Sequence, residues 1–223
     1  HPELDPAHYG FEESDYDRPI FIDGVLGLET ATLNQIIIAL KETYCGKIGV
    51  ELFIGTQLCS KGEECLQGVS DGTIDIYIST SGGAAGAFPY VQVLDLPYLM
   101  ANDRIAEEVL SGNFTRTMRD MALKDSGDKI RLMTIGNTGG WRNFANTKQR
   151  VTAPADMDGM KLRTVVADLP QELVKALGAS PTPIPWPELF TSLQTGVVEG
   201  TANGITDIMG MKFPDAGLQY VTL

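Results

Sequence analysis

Hydrophobic positions switch between two spacings along the first half of the chain, which predicts short strands separated by helices. Alternation at every second residue predicts strands at 19–23, 50–54 and 74–78. Helical spacing predicts a helix over 29–44, and Ser60 with Glu63 forms a candidate capping box for a helix reaching about Val69. Because βαβ connections are right-handed and join parallel strands, this order predicts an α/β protein with a parallel sheet.

The second half continues the alternation of strands and helices. Strands are predicted at 95–100, 129–135, 141–145, 160–165 and 182–185, the last kept at an edge by its prolines. Helices are predicted from Asn102 or Asp103 to about Leu123 with a break at 111–112, from an Asp168 cap to Gly178, and from Pro187 to Thr195. The polar, glycine-rich stretch 136–140 suits a hinge between two lobes.

A short echo supports two lobes. GVSDGT at 68–73 recurs 128 residues later as GVVEGT at 196–201, each time after a predicted helix. Two lobes built on one plan would explain the match, and a chance coincidence in a glycine-rich chain is the alternative. We divide the chain into an irregular arm at 1–17, a first lobe at 18–137 and a second lobe at 138–223.

Composition narrows the classes of function. The 223 residues, 43% of them hydrophobic, can furnish a core, and no apolar run approaches the roughly 20 residues of a membrane-spanning helix. A formal charge of −12 argues against nucleic acid and anionic membrane surfaces as partners. No secretory leader is visible, so the chain is either cytoplasmic or a processed, mature product.

Few residues are available for catalysis or metal binding. Both histidines, His1 and His8, lie in the N-terminal arm, which disfavours histidine-based nucleophilic catalysis in the body, and we expect no metal site and no cofactor. Cys59 and Cys65 lie six residues apart and could pair, leaving Cys45 free, or all three thiols could be reduced.

The stretch 139–163 carries the most suggestive chemistry. Arg142 and Arg163 lie on two predicted strands joined by a proline-containing loop. A guanidinium matches a carboxylate with two parallel charge-assisted hydrogen bonds, which makes both arginines candidate anion ligands. The alternative is that both lie on the surface and pair with local acids, Arg163 with Asp158 or Asp168.

Six stretches resemble the periplasmic substrate-binding subunits of tripartite ATP-independent periplasmic (TRAP) transporters, the DctP-type family. They are GKIGVELFIGTQL at 46–58, LQGVSDGTIDI at 66–76, VLDLPYLM at 93–100, WRNFANTKQRV at 141–151, DMDGMKLRTV at 156–165 and ALGASPTPIPWPELFTSLQTGVVEGTAN at 176–203. The resemblance implies a two-lobed, type II Venus-flytrap fold. It also implies a periplasmic protein, its signal peptide removed, that is not an enzyme and that carries a small organic acid to a TRAP membrane permease.

The resemblance also implies roles for particular residues. Arg163 is similar to the arginine that pairs with the ligand carboxylate, and Arg142 to a second anchor. Trp186 falls at the position of an aromatic wall, with Trp141 as a further lining residue, and Asn203 matches a ligand-binding asparagine. In the first lobe, Asp23, Thr80 and Ser81 are placed to contribute polar contacts at the carboxyl ends of the strands.

Some features depart from the family pattern or leave alternatives open. Cys59 replaces a usual glycine, Glu199 replaces a usual aspartate, and the chain ends at Leu223 where family members continue, so we expect the C-terminal part of the second lobe to be missing. Two tryptophans and two arginines suggest a cyclic or aromatic monocarboxylate or a compact zwitterion, with a sugar acid or dicarboxylate still open. The alternative function is an α/β enzyme using Asp75 and Glu199 as acid and base.

Overall fold

A computed structural model describes residues 20–24, 50–54, 57–137 and 140–222. The predicted arm at 1–17, the predicted helix at 29–44 and Cys45 lie outside the described residues. The described parts form two sheets with helices packed around them, one sheet in each half of the chain.

The first sheet is parallel, as predicted. Strand β1 (Ile20–Gly24) lies between β2 (Val50–Ile54) and β3 (Ile76–Ile78). The elements that follow are α1 (Gly62–Asp71), α2 (Ser81–Ala84), a 3₁₀-helix (Pro89–Asp95), α3 (Asp103–Ser111) and α4 (Asn113–Asp125). The predicted break at 111–112 is confirmed, and Asn102 caps α3 by accepting a hydrogen bond from the Ile105 backbone N–H at 3.0 Å.

Two predicted strands in this half are wrong. In place of the strand predicted at 95–100, a 3₁₀-helix at Pro89–Asp95 is followed by turns. In place of the strand predicted at 129–135, residues 129–137 have no regular secondary structure. Ile130 and Leu132 do pack against the cluster that contains Phe88 and Ala122. The alternating hydrophobic residues therefore form one face that packs against the core, but the segment forms no ladder with a neighbouring strand.

The start of α1 differs from its predicted capping box. Lys61 occupies the N-cap position, and Ser60 bonds Glu64 instead of Glu63, with both its backbone N–H and its hydroxyl at 2.8 Å from the Glu64 carboxylate. Cys59 and Cys65 form a disulfide with their Cα atoms 5.2 Å apart, which settles the open alternative for that pair. The disulfide joins Cys59, which precedes α1, to Cys65 in the first turn of that helix.

The second sheet is mixed and has the strand order β6-β5-β7-β4-β8. Its strands are β4 (Asn143–Asn146), β5 (Lys161–Thr164), β6 (Ser180–Pro183), β7 (Gly200–Asn203) and β8 (Tyr220–Thr222). β5 is parallel to β6 and β7, whereas β4 is antiparallel to β7 and β8. The proline-containing strand is an edge strand, as predicted, and lies two residues earlier than expected.

Helices α5 (Asp168–Ala176), α6 (Leu189–Gln194) and α7 (Ile205–Gly210) pack on this sheet, with 3₁₀-helices at Pro154–Met157, Trp186–Glu188 and Phe213–Ala216. Ala167, not Asp168, occupies the N-cap position of α5, and Gln171 bonds the Ala167 carbonyl oxygen at 3.0 Å. One core cluster contains Leu189, Val198 and Phe213.

The hexapeptide echo at a spacing of 128 residues does not align in the structure; matching backbone features recur at a spacing of 124 residues instead. Gly72 ends α1 and Gly196 follows α6, both with positive φ (74° and 73°). Two residues after each glycine, a buried Ile74 or Val198 donates its backbone N–H six residues back, to Gly68 or Ser192. Matching the identical residues of the two hexapeptides gave the wrong alignment. The left-handed glycine is the second glycine of GVSDGT, Gly72, but the first glycine of GVVEGT, Gly196.

Described residues of the two halves of the chain are in contact. The Gln92 side-chain oxygen accepts a hydrogen bond from the Leu169 backbone N–H at 3.0 Å, which caps α5 from the other half. Gly82 in α2 faces Val165 just after β5, so closely that a Cβ on Gly82 would lie 2.5 Å from the Val165 Cγ2 atom. These contacts bring the 3₁₀-helix at 89–95 over the end of β5.

Candidate ligand-binding cleft

A small cavity lies where the two halves meet. Its volume is about 50 Å³, and it is lined by Asp95, Arg142, Phe144, Arg163, Thr164, Val165, Pro170, Leu173, Val174 and Ala202. Both predicted arginines are present in the lining, with apolar side chains between them. A cavity of this size has room for a few water molecules only.

Arg163 is buried in β5, with 3% of its surface exposed. Its Nε donates a hydrogen bond to the Ile184 carbonyl oxygen at 2.9 Å, and its guanidinium carbon lies 5.6 Å from the centroid of the Trp186 ring. Among the described residues it forms no ion pair. Burial, followed by the charge of Arg142, lowers the pKa of Arg163 to about 9, which leaves the guanidinium protonated at neutral pH.

Arg142 lines the cavity, whereas Asn203, which follows the lining residue Ala202, does not. Arg142 precedes β4, is exposed, and donates through Nη1 to the Ala202 carbonyl oxygen at 2.9 Å. Asn203 is buried, and its side-chain oxygen accepts from the Thr201 hydroxyl at 2.8 Å. Burial raises the pKa of the neighbouring Asp207, an effect opposed by a hydrogen bond from Asn203 and by the charge of Arg142.

The two tryptophans occupy different environments. Trp186 packs against the second-half core, with its ring 5.6 Å from Phe213 in an edge arrangement, and its Nε1 is buried without a hydrogen-bond partner among the described residues. The Trp186 ring packs against the Arg163 guanidinium and does not line the cavity. Trp141 is 48% exposed and also lies outside the lining.

The first half contributes one cavity residue that the sequence did not single out. Thr80 caps α2 by accepting a hydrogen bond from the Gly83 backbone N–H at 3.2 Å, and the Ser81 hydroxyl donates to Asp95 Oδ1 at 2.8 Å. Neither Thr80 nor Ser81 lines the cavity, but Asp95 does. Of the predicted residue Asp23, only the backbone lies within the described part of the chain. The available signal for Asp95 was a single carboxylate in the otherwise uncharged segment 89–101.

The carboxylate of Glu199, the candidate acid or base, is held by a hydrogen bond and an ion pair. Its Oε2 accepts the Lys161 backbone N–H at 3.0 Å, and its Oε1 lies 3.2 Å from Lys148 Nζ. The hydrogen bond from Lys161 is the main cause that lowers its pKa. Asp75 precedes β3 in the other sheet, at the position of the repeat equivalent to Glu199.

Among the described residues, no cluster of histidine, cysteine and carboxylate side chains could hold a metal ion. Within the same residues, none of the helices is long and apolar enough to cross a membrane.

Comparison with known protein families gives one extended match. The family described as DctP, bacterial extracellular solute-binding protein, family 7, matches residues 29–220. The chain is 29% identical over 174 residues to the 2,3-diketo-L-gulonate-binding periplasmic protein YiaO of Escherichia coli, a match that covers 78% of this chain and 52% of that protein.

Solved structures of TRAP periplasmic solute-binding proteins have the same fold. The protein from Desulfovibrio salexigens with bound orotic acid has a TM-score of 0.82 and 27% identity, over 92% of this chain and 65% of its own. The sugar acid binding protein DctPAm from Advenella mimigardefordensis, in complex with galactonate, has a TM-score of 0.78 and 28% identity, over 92% and 66%. The predicted two-lobed α/β fold is thereby confirmed.

These matches are partial in length. The chain spans about half the length of the curated relatives that it matches and about two thirds of the solved chains. A separate, local match of 49 residues is 61% identical to the 2-oxoglutarate dehydrogenase E1 component of Brucella anthropi, but covers only 5% of that protein.

Proposed function

Because the chain belongs to the family 7 bacterial extracellular solute-binding proteins, we propose that it captures a small organic acid between its two lobes and delivers it to the membrane permease of a TRAP transporter. The observation that carries this proposal is Arg163, a buried cation on the cavity wall without an ion-pair partner among the described residues. A carboxylate is the natural complement of such a group.

Energetics explain why a carboxylate should fill this place. A buried guanidinium lacks most of its water, which is costly unless a partner compensates for it. A carboxylate entering from the cleft would meet the buried Arg163 guanidinium, with the exposed Arg142 nearby, and could accept charge-assisted hydrogen bonds from both. Trp186 packs against the Arg163 guanidinium, and Asn203, next to Ala202 of the lining, would contact the ligand. Ligand contact with both lobes would favour the closed state.

The relatives support the class of ligand. Those named above bind 2,3-diketo-L-gulonate, orotic acid and galactonate, which are all acids. The Cys59–Cys65 disulfide is consistent with an oxidising compartment such as the periplasm, where family members act.

The alternative reading as an enzyme gains no support from the geometry. A general acid at neutral pH needs a raised pKa, whereas the pKa of Glu199 is lowered and its carboxylate is held by Lys161 and Lys148. The short likeness to the E1 component spans too little of that enzyme to carry its activity.

Mass spectrometry of small molecules that co-purify with the protein would identify an acid, and thermal unfolding with and without it would measure binding. We expect a strong rise in Tm that Arg163→Ala abolishes, because the carboxylate loses its buried partner. Arg150→Ala, an exposed arginine outside the cavity lining, serves as the control and should keep the shift. An unchanged shift in Arg163→Ala would remove the site assignment, and conversion of the acid into a product would favour the enzyme.

A further inference from the structure

We propose that the acid bound in this cleft is a monocarboxylate with a hydrogen-bond donor, a hydroxyl or an ammonium group, away from its carboxylate, and that Asp95 receives this donor. The proposal rests on the proposed function, since it assigns the opposite end of the same ligand. It excludes dicarboxylates as the preferred class.

The first support is the state of the Asp95 carboxylate. Its Oδ1 accepts a hydrogen bond from the Ser81 hydroxyl at 2.8 Å, which fixes the orientation of the group. Its Oδ2 is buried and has no hydrogen-bond partner among the described residues. A buried acceptor left unpaired destabilises a fold, and a ligand donor at this oxygen would remove that cost.

The second support is the placement of charges around the cavity. Asp95 lies on the first-lobe side, and Arg163 and Arg142 lie on the second-lobe side of the same cavity. Among the described residues, no ion pair joins Asp95 to either arginine. A ligand between them would therefore meet cations at one end and an acceptor at the other.

This arrangement discriminates between acids of the same length. A hydroxyl or ammonium group can donate to Asp95 Oδ2, whereas a second carboxylate would place two negative charges together in a space with little water. The apolar lining, Phe144, Val165 and Leu173 among it, suits the carbon skeleton between the two ends.

Matched pairs of acids test the proposal by calorimetry on the purified protein. The pairs are galactonate with galactarate, erythronate with tartrate, and 4-aminobutyrate with succinate; in each, a terminal hydroxymethyl or aminomethyl group is exchanged for a carboxylate. We expect the donor-bearing member of the tightest pair to bind at least tenfold more tightly than its dicarboxylate. Wild-type protein that binds the dicarboxylate equally well, or that binds no donor-bearing acid, overturns the proposal.

Asp95→Asn separates the roles of the two ends. It should lower the preference within the tightest pair by at least tenfold, because the repulsion is removed, and the loss should be larger for an ammonium than for a hydroxyl. Asp120→Asn, an exposed position on α4, should leave the preference unchanged. The Tm without ligand shows whether Asp95→Asn folds, and Ser81→Ala, which frees the same carboxylate, should weaken the preference in the same direction.

The outcomes also separate this proposal from the one on which it rests. If Arg163→Ala abolishes binding of the acid while Asp95→Asn leaves the preference within its pair unchanged, the solute-binding function stands and the role of Asp95 falls. If Arg163→Ala binds as well as wild type, the carboxylate site itself is wrong.

Discussion

Arg163 shows how much of this site depends on a single residue. Its guanidinium is held before any ligand arrives, by the Ile184 carbonyl oxygen on one side and the Trp186 ring on another. The sequence motif singled out Arg163 as a candidate ligand and Trp186 as a wall of the cleft, but it did not predict that the Trp186 ring packs against the guanidinium outside the cavity lining. That arrangement follows from how the 3₁₀-helix at 186–188 packs on Phe213, which no local pattern encodes.

The lowered pKa of Arg163 predicts a pH dependence of binding. Without ligand, the pKa of Arg163 is about 9, and a bound carboxylate would favour the protonated guanidinium. The affinity for the acid should therefore be constant near neutral pH and fall above about pH 9. Calorimetry between pH 7 and pH 10.5 measures this, with circular dichroism to establish that the protein stays folded. A constant affinity across that range would contradict a direct ion pair with Arg163.

At the scale of single elements, β5 and β7 are joined by more than their ladder. Glu199 precedes β7, and its carboxylate bonds the Lys161 backbone N–H at the start of β5. Its backbone N–H also donates to the Lys161 carbonyl oxygen at 2.7 Å. The Glu199 side chain therefore extends the hydrogen bonding between the two strands that flank the cavity.

Glu199→Gln should lower the free energy of unfolding at pH 7 by about 1 kcal/mol, since a charged acceptor and an ion pair are weakened together. The folded-state pKa of Glu199 is below its ordinary 4.5, so its contribution is present above pH 4.5 and lost as pH falls through the folded value. Urea denaturation of both proteins at pH 7 and pH 3 checks the sign. A larger difference at pH 3 than at pH 7 would contradict this account.

Elements were predictable where a residue type strongly restricts the backbone structure that can form around it. Edge strand β6 followed from its prolines, and the break between α3 and α4 from Ser111 and Gly112. The strands expected at 95–100 and 129–135 were wrong for different reasons. Ile130 and Leu132 pack one face of a segment that forms no ladder, whereas residues 96–99 lie exposed in turns and bends. Asp95 was missed as a cavity residue: it was placed at the start of a predicted strand, whereas it ends a 3₁₀-helix.

At the scale of the whole molecule, the two lobes meet at a close contact between α2 and the end of β5. Gly82 allows α2 to approach the end of β5, where the branched Val165 side chain has little freedom to move aside. The repeat with a spacing of 124 residues shows the same helix, turn and strand start in both halves. The glycines of the sequence suggested this likeness, but only the left-handed conformation of Gly72 and Gly196 fixes its alignment.

Gly82→Ala should hold the lobes apart and weaken ligand binding by about tenfold, because the new methyl group meets Val165 in the closed state only. Small-angle scattering with ligand should then show a larger radius of gyration than for wild type. Gly210→Ala, where a Cβ meets nothing within 4 Å, is the matched control and should behave as wild type. Full compaction and affinity in Gly82→Ala would show that the two halves close along a different path.

The fixed position of the guanidinium in β5 has a kinetic consequence. Since the group needs no conformational search to meet an incoming anion, the association rate should be governed by how often the lobes part, and should differ little among acids of similar size. Selectivity would then appear as residence time: well-matched acids would remain bound for many opening events, while poorly matched ones would leave at the first.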